Sequence, residues 1–177
     1  MKNSKKICVV GASGLVGSSI VRHALEEGYF VNGTLRDMSD KKVKYLNKLP
    51  NSNNLKLFNA KMENKKDFIN PMQNADAVFV ACLIPTYKGD DGTPAKDMDD
   101  KRGYEEIINP TVNGCLNIIK AAKEKGIKNI IICSSTSSTN PVPPVEFKNE
   151  TEHWSDEKEQ CKAKKYTSAT KTVMEKM

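Results

Sequence analysis

The stretch Lys6-Ile7-Cys8-Val9-Val10-Gly11-Ala12-Ser13-Gly14-Leu15-Val16-Gly17 places three glycines, spaced G-x-x-G-x-x-G, between an apolar run and a helix-patterned segment. Ile7 to Val10 are rich in β-branched residues, a strand signature. Val16, Ile20 and Ala24, with Val21 and Leu25 beside them, recur at helical intervals. A strand that feeds a helix through glycines constrains the fold strongly. Gly11 can take backbone angles closed to other residues, Gly14 lets a ligand approach the main chain, and Gly17 lets helix and strand pack closely. The free N–H groups and positive dipole end at the helix start then suit an anion. The turn therefore predicts a diphosphate cradle and, with it, dinucleotide binding. A turn that merely connects two elements is the competing reading.

The rest of the chain repeats the alternation. Strands are expected at Tyr29 to Leu35, Leu55 to Phe58, Ala75 to Cys82 and Asn129 to Cys133, with one short helix between Arg36 and Asn54. Residues 85–103, rich in Gly, Pro and Asp, read as a loop. Ile108, Val112, Cys115, Ile119 and Ala122 recur at helical spacing up to Gly126, a helix-ending residue, and the charged tail from Lys162 is helix-compatible. Fully apolar strands between helices imply a doubly wound α/β fold, a parallel sheet with helices on both faces. At 177 residues one domain is expected, able to bury roughly 70% of its unfolded surface.

Composition narrows the function classes. Hydrophobic residues make up 38% and charged residues 28%, with no apolar run near the ~20 residues that span a membrane. The basic start, residues 1–6, enters a strand without a signal-peptide core, so a cytoplasmic protein is expected. Cys8, Cys82, Cys115, Cys133 and Cys161 are scattered, without C-x-x-C pairs or Cys/His clusters, and read as reduced, mostly buried thiols. With only two histidines, His23 and His153, neither a histidine metal site nor a hydrolytic triad is supported, and the acidic residues 90–100 lack EF-hand spacing. The net charge of +6 comes from lysines spread among asparagines on different elements. They read as solvated faces that attract anions, not as a nucleic-acid surface.

Taken together, the glycine turn, Thr34-Leu35-Arg36-Asp37, Asp76-Ala77-Val78-Phe79, Ile108-Asn109-Pro110-Thr111-Val112-Asn113-Gly114, Ser134-Ser135 and Lys171-Thr172 resemble the extended short-chain dehydrogenase/reductases. Within them, the dihydroflavonol reductase and cinnamoyl-CoA reductase branch is most similar. The resemblance implies a Rossmann fold with strand order 3-2-1-4-5, a nicotinamide cofactor and a small-molecule carbonyl substrate. It implies cofactor contacts at Gly11, Ser13, Gly14, Leu15, Val16, Gly17, Ala81 and Lys171, and at Arg36, where a basic residue pairs with the 2′-phosphate of NADP. NADP is the expected cofactor, with NAD the alternative because Asp37 is adjacent.

The same resemblance implies hydride transfer assisted by a Ser/Tyr/Lys trio, here Ser135, Tyr166 and Lys171. The family spacing is Y-x-x-x-K, which puts both residues on one helix face. Tyr166 and Lys171 are five apart, about 140° around a regular helix. Either Tyr166 lies just before the first helical turn and reaches the site, or Thr167 stands at the acid position and Lys171 binds only cofactor or solvent. Lys61 stands where the family carries an adenine-binding aspartate, and Val80 and Cys82 replace more typical residues of the fourth strand. The family also continues past the point where this sequence ends, so the substrate-binding region is expected to be missing and exposed apolar surface on the late sheet edge to favour homodimers or aggregation. The main expectation is an NADP-dependent oxidoreductase. Its rivals are a catalytically impaired dinucleotide-binding sensor or scaffold and, with nothing to select it, nucleotide-sugar epimerase or dehydratase chemistry.

Overall fold

Five parallel strands pair in the order β3-β2-β1-β4-β5, the order the family resemblance implies, in a computed structural model that describes residues 5–82 and 88–177. Residues 1–4 of the basic start and 85–87 of the expected loop lie outside the described residues. The strands are β1 (Lys6–Val10), β2 (Phe30–Leu35), β3 (Leu55–Asn59), β4 (Ala77–Val80) and β5 (Asn129–Ile132). The sheet register pairs Val10 with Thr34 of β2 on one side and with Val80 of β4 on the other. The three strand ends therefore stop at one level, beside the glycine turn.

The chain divides into two units, Met1–Leu83 with Leu116–Cys133, and Ile84–Cys115 with Ser134–Met177. The first holds the sheet. Helices α1 (Leu15–Glu26) and α2 (Asp40–Leu46) bury Val21, Leu25 and Leu46 against Ile7, Val9, Val31 and Leu35. Each such aliphatic burial contributes about 1.5–3 kcal/mol. Because side chains alternate across a strand, Cys8, Val10, Val78 and Val80 point to the opposite face, where they too are buried. That two-sided burial is why these strands read as continuous apolar runs.

The second unit is helical. After the short turn α3 (Asp100–Arg102), residues Gly103–Ile108 form a π-helix that leads into α4 (Asn109–Glu124), which runs on into the first unit. Pro110, the second residue of α4, has no N–H to return to a carbonyl one turn back, and the wider π turn sits directly before it. The extra residue rotates the buried stripe to Ile107, Ile108, Thr111, Cys115 and Ile118. Val112 and Ile119, expected on the buried face, are only half-buried. The expected loop 85–103 holds a Lys88–Pro94 bridge and two short helical turns where it is described. Helices α5 (Glu157–Lys162) and α6 (Tyr166–Glu175) complete the unit. Their contacts with Met98, Ile107 and Ile108 make a second small core around Cys161, Tyr166 and Ala169.

Candidate functional site

The turn between β1 and α1 is held by main-chain bonds. Gly11 and Ala12 N–H both donate to the Thr34 carbonyl at 3.1 and 3.0 Å, and Gly14 N–H donates to the Gly11 carbonyl at 3.0 Å. Each glycine answers a different constraint. Gly11 has φ +83°, and a Cβ there would lie 2.4 Å from Cys82 Cβ. A Cβ on Gly17 would lie 2.1 Å from the Gly11 carbonyl oxygen, so the helix can approach the turn only without a side chain at that point. Gly14 is different: the nearest atom to its Cβ would be the Gly11 oxygen at 3.4 Å, ordinary contact distance. The protein does not need Gly14 for its own packing. What a Cβ would fill is the exposed space in front of the helix.

That helix start suits an anion. Gly14 is the N-cap of α1, no side chain caps it, and the first turn carries no acidic residue. The early N–H groups of α1 thus have no carboxylate or hydroxyl competing for them. Ser13 is half-buried in the turn, whereas the side chains of Leu15 and Val16 are exposed. They line an apolar groove of about 890 Å³ with Ile7, Ile20, Ala24 and Phe79. Near it Ile131 of β5 is 45% exposed, apolar surface of the kind on which the expectation of self-association rests. Ala81 continues β4 and donates its N–H to the Val10 carbonyl at 3.0 Å.

At the end of β2, Arg36 and Asp37 part company. The Asp37 carboxylate accepts the Ser39 N–H at 2.8 Å and lies 3.8 Å from Lys42 Nζ. The Ser39 amide, first, and then Lys42 hold its pKa below the ordinary aspartate value. Arg36 is exposed, and its main-chain carbonyl accepts from Asn59. The acidic neighbour is thus engaged locally, and the guanidinium is the charge displayed. Lys61 is also exposed, with its N–H donated to Asp67.

The second unit holds the three residues of the expected trio. Ser135 is exposed and caps the turn Thr136–Thr139, its Oγ accepting the Ser137 N–H at 3.2 Å. Acting as an acceptor leaves its proton available. Lys171 is only 7% exposed. Burial raises the pKa of Cys115, and the charge of Lys171 opposes that rise, so ammonium and thiol are electrostatic neighbours. Tyr166 is the first residue of α6 and is fully buried. Its hydroxyl lies 3.2 Å from the Met98 carbonyl and 3.1 Å from Asp100 Oδ1. Burial, foremost, raises the phenol above the ordinary tyrosine value. Both residues sit within one regular helix, so the five-residue spacing turns their side chains to different sides.

Sequence reasoning missed the residues that hold this unit together. The Gln160 amide donates to the Ser137 carbonyl at 2.8 Å and accepts from Thr172 Oγ1 at 2.8 Å. Ser155, 2% exposed, donates to the Ser137 and Asn140 carbonyls and accepts the Asn140 N–H. An uncharged polar residue in a charged stretch carries no periodic signal. Only Asp156, followed by Glu157 and Glu159, had the look of a helix start.

A family model described as NAD(P)H-binding matches residues 11–173, from the first glycine of the turn to the last turn of α6. The chain belongs to this NAD(P)H-binding family. The expected cofactor class, a nicotinamide dinucleotide, is that of the family. Among the curated relatives of this NAD(P)H-binding chain, dihydroflavonol 4-reductase of Gerbera hybrida is 37% identical over 153 residues, 85% of the chain and 39% of the relative. Anthocyanidin reductase of Arabidopsis thaliana is 32% identical over 157 residues, 86% of the chain and 43% of the relative. The chain thus spans less than half the length of these two. Among solved structures, vestitone reductase from alfalfa superposes with a TM-score of 0.70 at 28% identity, over 97% of this chain and 50% of that one. A yeast methylglyoxal/isovaleraldehyde reductase complexed with NADPH shares the fold, with a TM-score of 0.73 at 21% identity over 97% and 51%. No helix among the described residues is long and apolar enough to cross a membrane.

Proposed function

We propose that the chain binds NADP(H) at the turn between β1 and α1 and serves hydride transfer to or from a small carbonyl or alcohol compound, as the names of its reductase relatives suggest. When bound, the nicotinamide supplies the hydride. The observation that carries the reading is Gly14: its missing side chain serves no contact within the protein, and it opens onto an uncapped helix start free of acidic residues. Arg36 favours the 2′-phosphorylated cofactor because Asp37 is turned to Ser39 and Lys42. Ser135 has a proton to orient a substrate oxygen, and Lys171 follows it in the sequence order of the family pattern as the positive charge for the cofactor.

Titration with NADPH and NADH, followed by nucleotide fluorescence, tests this. Wild type should prefer NADPH. Arg36→Ala should weaken NADPH about tenfold with little effect on NADH, the loss of one charged contact. Gly14→Asp should abolish both, because a carboxylate would occupy the anion's place. Equal NADPH affinity in wild type and Gly14→Asp would refute the reading.

One observation favours a second reading, a dinucleotide-binding sensor or scaffold of low turnover. The Tyr166 hydroxyl is already spent on Met98 and Asp100.

A further inference from the structure

Helix α6 has two distinct polar faces. Around a regular helix Thr170 and Val173 lie within about 40° of Tyr166, while Thr167 lies within about 40° of Lys171. Both sides carry buried residues, Tyr166, Ala169 and Thr170 on one and Lys171 on the other, but they meet different surroundings. Tyr166 and Ala169 enter the core with Ile107, Ile108 and Met98, and Val173 packs against it. Thr167 is half-buried, on the side of Lys171.

The Tyr166 ring is fixed by more than its hydroxyl. A Cβ on Gly103 would lie 2.3 to 2.5 Å from three of its ring atoms, so the π turn is glycine where the phenol passes. Asp100 Oδ1, which accepts from the phenol, also faces Lys164 Nζ at 3.5 Å, and Lys164 Nζ stands 6.0 Å over the ring. The hydroxyl is thus held by Met98 and Asp100, with Lys164 as a further polar neighbour, and the whole cluster lies within the second unit.

We infer that Tyr166 is a positioning residue that locks the start of α6 to residues 98–103, and that Thr167 holds the place beside Lys171 from which a hydroxyl proton can be given. This rests on the NADPH-binding reading only for its catalytic consequence. A carbonyl reduced by hydride needs a proton at oxygen, and an aliphatic hydroxyl gives one up far less readily than a phenol. The native arrangement is therefore slow, and a tyrosine at 167 should quicken it. In that variant the carbonyl carbon gains the hydride and its oxygen takes the phenol proton. The phenolate, steadied by Lys171, regains a proton from solvent.

Two arms test the inference. In the structural arm, Tyr166→Phe should lower Tm by about 2–6 °C, and the Tyr166 signal in ¹³Cζ-tyrosine NMR should stay un-ionised past pH ~10 with or without NADP⁺. An unchanged Tm, or a Tyr166 signal that titrates lower when NADP⁺ is added, would overturn the anchoring role. In the kinetic arm, Thr167→Tyr should raise carbonyl-dependent NADPH oxidation at least tenfold with isovaleraldehyde or a dihydroflavonol, at unchanged NADPH affinity. A folded, NADPH-binding Thr167→Tyr protein without that gain overturns the assignment of Thr167. Wild type that binds no NADPH sinks the proposed function instead, and the melting and NMR results still decide the anchor.

Discussion

At the scale of single residues, the three glycines of the turn separate packing from ligand binding. Gly17 is required by the protein itself, since any side chain would meet the Gly11 backbone, which cannot give way as a flexible side chain would. Gly17→Ala should cost about 2 kcal/mol or more in urea unfolding, in the range of overpacking strain. Gly14→Ala fits the protein and should change stability by no more than ~1 kcal/mol, the scale of an N-cap substitution, while weakening NADPH. Two such variants, one unstable and one stable but poor at binding, would separate the two roles. The backbone angle of Gly11 and the close packing at Gly17 were legible in the motif because glycine spacing encodes backbone geometry directly. Arg36 was less legible. Its neighbour Asp37 left the sign of the charge open until the Ser39 and Lys42 contacts gave the carboxylate its own partners. Tyr166 was less legible still, because spacing tells which residues share a helix face and not which face meets the core.

At the scale of elements, the side chain of Gln160 bridges α5, α6 and the serine-rich segment. Gln160 gives its N–H to Ser137 and receives the Thr172 hydroxyl, and Thr172 is fully buried. Removing the amide leaves the Ser137 carbonyl with Ser155 as a remaining partner, while Thr172 keeps only its longer 3.3 Å approach to the Ser168 carbonyl. Gln160→Leu should therefore cost about 1–3 kcal/mol, the scale of a buried polar group left poorly satisfied. Equilibrium urea unfolding measures it. Gln160→Glu should recover part of that loss, because a carboxylate still accepts from Thr172 although it cannot donate to Ser137. The central strands β1 and β2 were legible because runs buried on both faces have few other homes, and β3, β4 and β5, only partly buried, because they are short apolar runs set between polar stretches. The turns of residues 95–102 were hidden because three-residue helices show no period, and the π turn was hidden because an inserted residue shifts the stripe without changing composition.

At the scale of the whole molecule, the fold class followed from alternation, since right-handed crossovers leave few ways to arrange parallel strands joined by helices. The division of the chain into two units did not, because α4 crosses it without a break in pattern. The same helical connections spread carboxylates over the surface in partnered positions, and these set the acid limit of stability. Arg22 lowers the pKa of Glu26, Lys65 that of Glu124, Arg102 that of Glu106 and Lys176 that of Glu157, while the N–H groups of Glu159 and Lys158 lower that of Asp156 at the start of α5. In each case the folded value lies below the unfolded one, so the unfolded chain binds more protons in the acid range. The stabilisation is fully present above the unfolded carboxylate values near ~4 and is lost as pH falls through the lowered folded values. These pairs are exposed or half-buried and individually weak, and the loss should appear chiefly as their sum. Melting followed by circular dichroism should give a Tm nearly constant from pH 7 to pH 5 and falling steadily below about pH 4. Added salt should flatten the fall by screening the ion pairs, although the Asp156 cap, which rests on hydrogen bonds to main-chain N–H groups, should persist. Should Tm instead rise on acidification below pH 4, these carboxylates would be repelled by their surroundings in the folded chain and not held by them.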